Sequence, residues 1–135
     1  MRVVVEDAGA RYPVTIDPMF AAASQEAKLT AADGVSDDQF GVSVSLFSDR
    51  ALVGAQFDDD NGSNSGSAYV FSRTGTTWTQ EAKLTAADGA ADDRFGFSVS
   101  LVSDRALIGA YGDDDLGSQS GSAYVFSRNG TMWNQ

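Results

Sequence analysis

Between Phe40 and Leu46 the chain reads FGVSVSL, with a large apolar residue at every second position and Gly or Ser between them. A period of two is that of a β-strand. Three more segments have strand character: the apolar run ALVGA (51–55), the aromatic and β-branched SAYVFS (67–72), and the longer, more polar TWTQEAKLTA (77–86). Turn chemistry separates them. Ser48-Asp49-Arg50 and Arg73-Thr74-Gly75-Thr76 are short enough for tight turns, and the longer ADGVSDD and QFDDDNGSNSG are dense in Asp, Gly, Ser and Asn. The order predicts a meander of four antiparallel strands with the polar one outermost.

The whole pattern then recurs. Residues 25–79 align with 80–134 at an offset of 55 without a gap, and 42 of the 55 positions are identical. In the second copy Asn129-Gly130 is a strong two-residue hairpin signal. The period lies near that of four-stranded propeller blades. Val42, Val44 and Leu46 are expected to fill one face of the first strand, while Gly41, Ser43 and Ser45 let another sheet come close on the other. A sheet that is apolar or small on both faces is suited to lie between neighbours, as stacked blades do. The predicted fold is therefore all-β: a partial β-propeller of about two four-stranded antiparallel meander blades in tandem. Residues 1–24 stand outside the repeat. RVVVED and YPVTIDP read as two strands around an Asp-Ala-Gly-Ala turn, the end of a preceding domain, and FAAAS (20–24) as a linker into the blades at 25–135.

Phe40-Gly41, then Gly54-Ala55, then GSAYVF from Gly66, resembles the FG-GAP repeat. The second copy matches through Phe95-Gly96, Gly109-Ala110 and GSAYVF from Gly121. The resemblance covers about 25–135 and implies the propeller architecture of integrin α chains and many bacterial surface proteins. Two departures stand out. The Pro that closes the family motif is Gln56 in one copy and Tyr111 in the other. The calcium loop that integrin-type blades carry between first and second strands is here only Ser48-Asp49-Arg50 and Ser103-Asp104-Arg105. One carboxylate is too few for the 6–8 oxygen ligands of Ca²⁺, so that family site cannot be carried over.

Charge narrows the partners. With 19 acids, 9 bases and a net charge of −10, the chain would be repelled by phosphate backbones and anionic membrane surfaces, while cations and basic partners remain open. It has no Cys and no His, which excludes disulfides, a thiolate nucleophile, Cys/His zinc sites and a His-based triad. No stretch approaches the length of a membrane span. The opening MRVVVEDAGARYPV is not a signal peptide, because its apolar run, Val3–Val5, is too short.

Sixteen of the 19 acids are Asp, and the meander sorts them. Alternate turns fall on opposite sheet edges, so Asp33, Asp37, Asp38 and the triplet Asp58, Asp59, Asp60 share one edge. The second copy adds Asp88, Asp92, Asp93 and Asp113, Asp114, Asp115. The other edge carries Asp49 and Asp104 with Arg50, Arg73, Arg105 and Arg128. Two readings stand for the triplets: an oxygen-rich edge for Ca²⁺ or a basic partner, and turn formation with solubility. DDDNGSNSG does not have EF-hand spacing. Trp78 and Trp133 are read as packing residues.

No catalytic constellation is apparent, so the chain is expected to be a non-enzymatic binding, adhesion or structural module of a bacterial surface or secreted protein. It would meet a protein or other extracellular ligand, with no nucleic acid and no membrane insertion. The alternatives are a calcium-stabilised module and an accessory propeller of a larger exported enzyme. Propellers close with roughly 4–8 blades. The chain is thus expected to be part of a longer array, or else copies assemble, with Gln25–Ala31 of one beside Ser122–Ser127 of another.

Overall fold

The computed structural model describes residues 2–7, 10–15 and 23–135. Strands β1 (Arg2–Asp7) and β2 (Ala10–Thr15) form an antiparallel hairpin in which Asp7 pairs with Ala10. Most of the linker expected at 20–24 lies outside the described residues. The two repeats form two separate four-stranded antiparallel sheets. The first runs β3 (Ser43–Phe47), β4 (Arg50–Ala55), β5 (Ser67–Thr74) and β6 (Thr77–Leu84) in spatial order; the second runs β7 (Phe95–Val102), β8 (Arg105–Ala110), β9 (Ser122–Asn129) and β10 (Met132–Asn134). These are two tandem blades of a partial propeller.

The turns that close each meander are set by single residues. Phe47 pairs with Arg50 across Ser48-Asp49, with Ser48 at φ 53°. Thr74 pairs with Thr77 and Asn129 with Met132, so the hairpin turns are Gly75-Thr76 and Gly130-Thr131. The expected Asn129-Gly130 turn is thus displaced by one residue. The glycine takes the first central position, at φ 63° in both copies, where the mirror-image hairpin turn requires the left-handed region.

The FGVSVSL strand also differs from expectation. In the first copy it begins only at Ser43, although the turn around Phe40 (Gln39 at φ 55°, Gly41 at φ 94°) is the same as that around Phe95 (Arg94 at φ 57°, Gly96 at φ 89°). In the second copy it begins at Phe95, which lies beside Gly66 of the first blade in a parallel bridge. The neighbouring blade lengthens the second strand, and among the described residues none lies on the other side of β3. Gln25–Ala31, the counterpart of Gln80–Ala86 in the repeat, belongs to neither sheet.

Strand alternation places two cores. Leu52, Ala68, Val70 and Leu84 leave one face of the first blade and meet Phe95, Leu101, Ala106, Ile108, Ala110, Tyr124 and Phe126 of the second. The opposite face of the first blade holds Ala51, Val53, Ala55, Tyr69 and Phe71, covered by Leu29, Ala31, Phe40 and Trp78. Val42, Val44 and Leu46, expected to fill a face, are exposed. They point to the side of the first blade on which no further sheet packs among the described residues.

Candidate functional site

Three glycines define the joint between the blades. A Cβ on Gly54 would stand 1.9 Å from the Gly96 carbonyl oxygen, one on Gly66 would stand 2.1 Å from that of Phe95, and one on Gly96 would stand 2.2 Å from that of Ser67. The Phe-Gly of the second blade therefore seats backbone to backbone on the Gly-Ala turn of the first. Ser43 and Ser45 complete the approach. Ser43 Oγ donates to the Gly96 carbonyl (2.7 Å), and the Leu101 amide donates to Ser45 Oγ (3.0 Å). Phe40 packs on Tyr69 and Phe71 at ring separations of 5.4 and 6.0 Å, and Phe95 meets Tyr124 and Phe126 at the same separations.

A doubled Phe-Gly seated against Gly-Ala, on two successive four-stranded sheets, has a known counterpart. The FG-GAP repeat model matches the chain at residues 23–71 and 78–126, more than half of its length. The chain belongs to the FG-GAP repeat family. Among curated proteins, none matches the chain. No helix among the described residues is long and apolar enough to cross a membrane.

Within the FG-GAP blades the aspartates do gather on one edge, and the structure shows what they hold. In the 56–66 loop the triplet members diverge. Asp58 Oδ1 accepts from the Asp60 amide (3.2 Å), and Asp59 Oδ1 accepts from the Asn64 amide (2.7 Å). Asp58 Oδ2 accepts the Tyr69 hydroxyl (2.7 Å) and meets the Lys83 ammonium at 3.0 Å. The same ammonium reaches Asp33 Oδ2 at 2.7 Å and Asp60 Oδ2 at 2.5 Å. Lys83 arrives there because β6 pairs with β5 so that Lys83 faces Tyr69. The register shift between Val70 and Phe71 sets this alignment. The cation between Asp33, Asp58 and Asp60 is thus a lysine of the blade itself.

This nest tunes its members. Burial opposes ionisation of Asp58, but the Tyr69 hydroxyl and the Lys83 ammonium outweigh it and hold the carboxyl below its usual range. Lys83, hydrogen-bonded, lowers Asp33 likewise. Burial works against the Lys83 charge, yet Asp33, Asp60 and Asp58 together raise its pKa. Burial and the bond to Asp58 raise Tyr69, which remains a protonated phenol.

In the second blade Asp113 Oδ2 accepts the Tyr124 hydroxyl at 2.7 Å, and Asp113 Oδ1 accepts from the Asp115 amide at 3.2 Å, matching the first. Asp88 and Asp115 occupy the places of Asp33 and Asp60, but no lysine stands among them. Asp113 stays low because Tyr124 bonds it, whereas the charges of Asp113 and Asp88 push Asp115 up. Asp114, like Asp59, is exposed and off this centre. Among the described residues no group of three or more acidic side chains is arranged to hold a metal ion.

The opposite edge, expected to carry Asp49 and Asp104 with four arginines, gains Glu26 and Glu81 beside them and is mixed in charge. Arg73 bonds Glu26 at 2.9 Å and Asp49 at 2.8 Å, while Arg128 bonds Glu81 at 2.8 Å and reaches Asp104 at 3.4 Å. Trp78 Nε1 donates to Glu26 (3.2 Å) and Trp133 Nε1 to Glu81 (2.9 Å), so both tryptophans pack and clamp. Each clamp ties an Arg and a Trp of one blade to a glutamate on the stretch outside it. Sequence reasoning missed the lysine nest and these clamps. Their signal was the strict recurrence of Glu and Lys in QEAKLTA, at 25–31 and again at 80–86.

Proposed function

We propose that the chain is a non-enzymatic binding and structural module of a bacterial surface or secreted FG-GAP protein. The observation that carries this reading is how the acidic edge is used. Asp33, Asp58 and Asp60 face a lysine, Asp59 faces a backbone amide, and the adjacent tyrosines are driven away from nucleophilic character. With no His or Cys in the chain, general acid–base and covalent catalysis lack their usual partners. The exposed remainder of the edge, with Asp59, Asp92 and Asp114, suits a basic protein surface. Such binding weakens with salt. Asp114→Lys, on an exposed carboxylate, should lower affinity for a basic protein ligand while the melting temperature stays put. Robust hydrolase activity of the purified chain that disappears in Asp37→Asn or Asp58→Asn would overturn the reading.

Calcium stabilisation is the second reading, favoured by the absence of an ammonium between Asp113 and Asp115. It requires a rise in melting temperature at millimolar calcium that Asp113→Asn with Asp115→Asn abolishes.

A further inference from the structure

Among the described residues the second blade has no counterpart to most of β6, and residues 25–31 repeat that part of its sequence. On the outer side of β5, β6 pairs Lys83 with Tyr69 and Leu84 with Ala68. On the outer side of β9, β10 pairs only with Ser127–Asn129, so Ala123–Phe126 have no partner strand there among the described residues. Beside that bare edge lies the lysine-free nest of Asp88, Asp113 and Asp115. Residues 25–31, QEAKLTA, repeat 80–86 residue for residue. They are in no sheet, and Lys28 is exposed, with no ion pair among the described residues.

This stretch is already held as an outer strand should be. Glu26 is bonded by Arg73 and Trp78 as Glu81 is by Arg128 and Trp133. Leu29 and Ala31 pack on the first blade as Leu84 and Ala86 pack on the second. Hence 25–31 stands to the first blade as β6 stands to the second, with no strand on its outer backbone edge among the described residues. Gln135 marks the seam. Its Oε1 accepts from the Ala87 amide at 3.0 Å, as Gln80 Oε1 accepts from Ala32, so Gln135 already fills the position of Gln80 and a donated strand runs on from Glu26.

We propose that the occupant of this edge is a second copy of the chain. Its Glu26–Ala31 segment adds to β9, with Lys28 opposite Tyr124 and the ammonium among Asp88, Asp113 and Asp115. The same docking lays the exposed Val44 and Leu46 of the incoming copy over the exposed Leu107 and Val125. The contact repeats the internal blade joint, with the same residue types on both sides. It is head-to-tail, and since propellers close with roughly 4–8 blades, it closes a ring of about two to four copies.

Native mass spectrometry and light scattering of the 135-residue protein test this. The expected mass is a small multiple of the monomer. Lys28→Glu and Asp115→Lys, both on exposed side chains, should each weaken association roughly 30-fold or more while the β-sheet circular dichroism is retained. An equimolar mixture of the two variants should regain association that neither shows alone, because the intact Lys28 of one meets the intact nest of the other. A wild-type monomer at every concentration would overturn the proposal, as would an oligomer indifferent to both variants. Calcium stabilisation of a wild-type monomer, lost in the Asp115→Asn variant, would overturn it in favour of a metal site.

Discussion

Leu46 and Leu101 are the same residue of the same repeat, yet Leu46 is 69% exposed and Leu101 only 3%. Leu52 and Leu107 reverse the comparison, at 0% and 47%. The two blades share most of their sequence and the same strand order, so composition cannot explain the difference. Each blade has a face built to receive and a face built to be received. Among the described residues, only the pair formed by the back of the first and the front of the second is closed within one chain. Burial here is a property of the joint between repeats and not of the repeat, as in other linear arrays, where stability is the sum of unit and interface contributions.

Truncation on the two sides breaks this comparison most sharply. Leu52→Ala should cost about 3 kcal/mol, the usual range for a buried leucine. Leu107→Ala, measured by urea denaturation in the Lys28→Glu background, should cost less than about 1 kcal/mol. Equal costs would mean that the blades do not depend on their joint.

Glycine substitution comes next. Gly54→Ala drives a methyl into the Gly96 carbonyl and should cost about 2 kcal/mol or more. Gly109→Ala meets only the Ser98 side chain, with Oγ at 2.3 Å, which can rotate away, so its cost should stay below about 1 kcal/mol. A difference in melting temperature between the two variants reads this directly.

The smallest effect is in the pH response, and its signs are opposed. Asp33 and Asp58 are held low when folded, so their contribution is present above the ordinary carboxylate value, about pH 4. It is lost as pH falls through their lowered values. Asp115 is raised, chiefly by the charge of Asp113, so the folded protein binds its proton more tightly than the unfolded chain. Its contribution therefore improves as pH falls from the raised value toward the ordinary one. Carboxyl carbon NMR titration should find Asp33 and Asp58 below the usual range and Asp115 above it. If a lysine of another copy enters the second nest, Asp115 should move down to join them.

Much of this was legible before any coordinates. The 55-residue repeat, the four strands per unit and the gathering of aspartates on one edge follow from periodicity and from the alternation of turns in a meander. Lys83 was not legible, because its place depends on register. A polar residue on an outer strand reads as solvent-facing until the shift at Val70–Phe71 brings it opposite Tyr69. The late start of β3 was hidden for a similar reason. Phe40-Gly41 and Phe95-Gly96 are the same letters, and only the Gly66 backbone beside Phe95 makes one of them strand.

The seam of the sequence repeat is not the seam of the sheet. A unit cut at residue 25 opens with the stretch that lies on its own first sheet but has the form of its predecessor's last strand. Duplicating such a unit never produces a finished blade with a loose neighbour. Each new copy arrives with the latch for the blade before it and the keeper for the blade after it. An array with this phase can be lengthened or shortened by whole units during evolution, and every internal joint stays matched without a single compensating substitution.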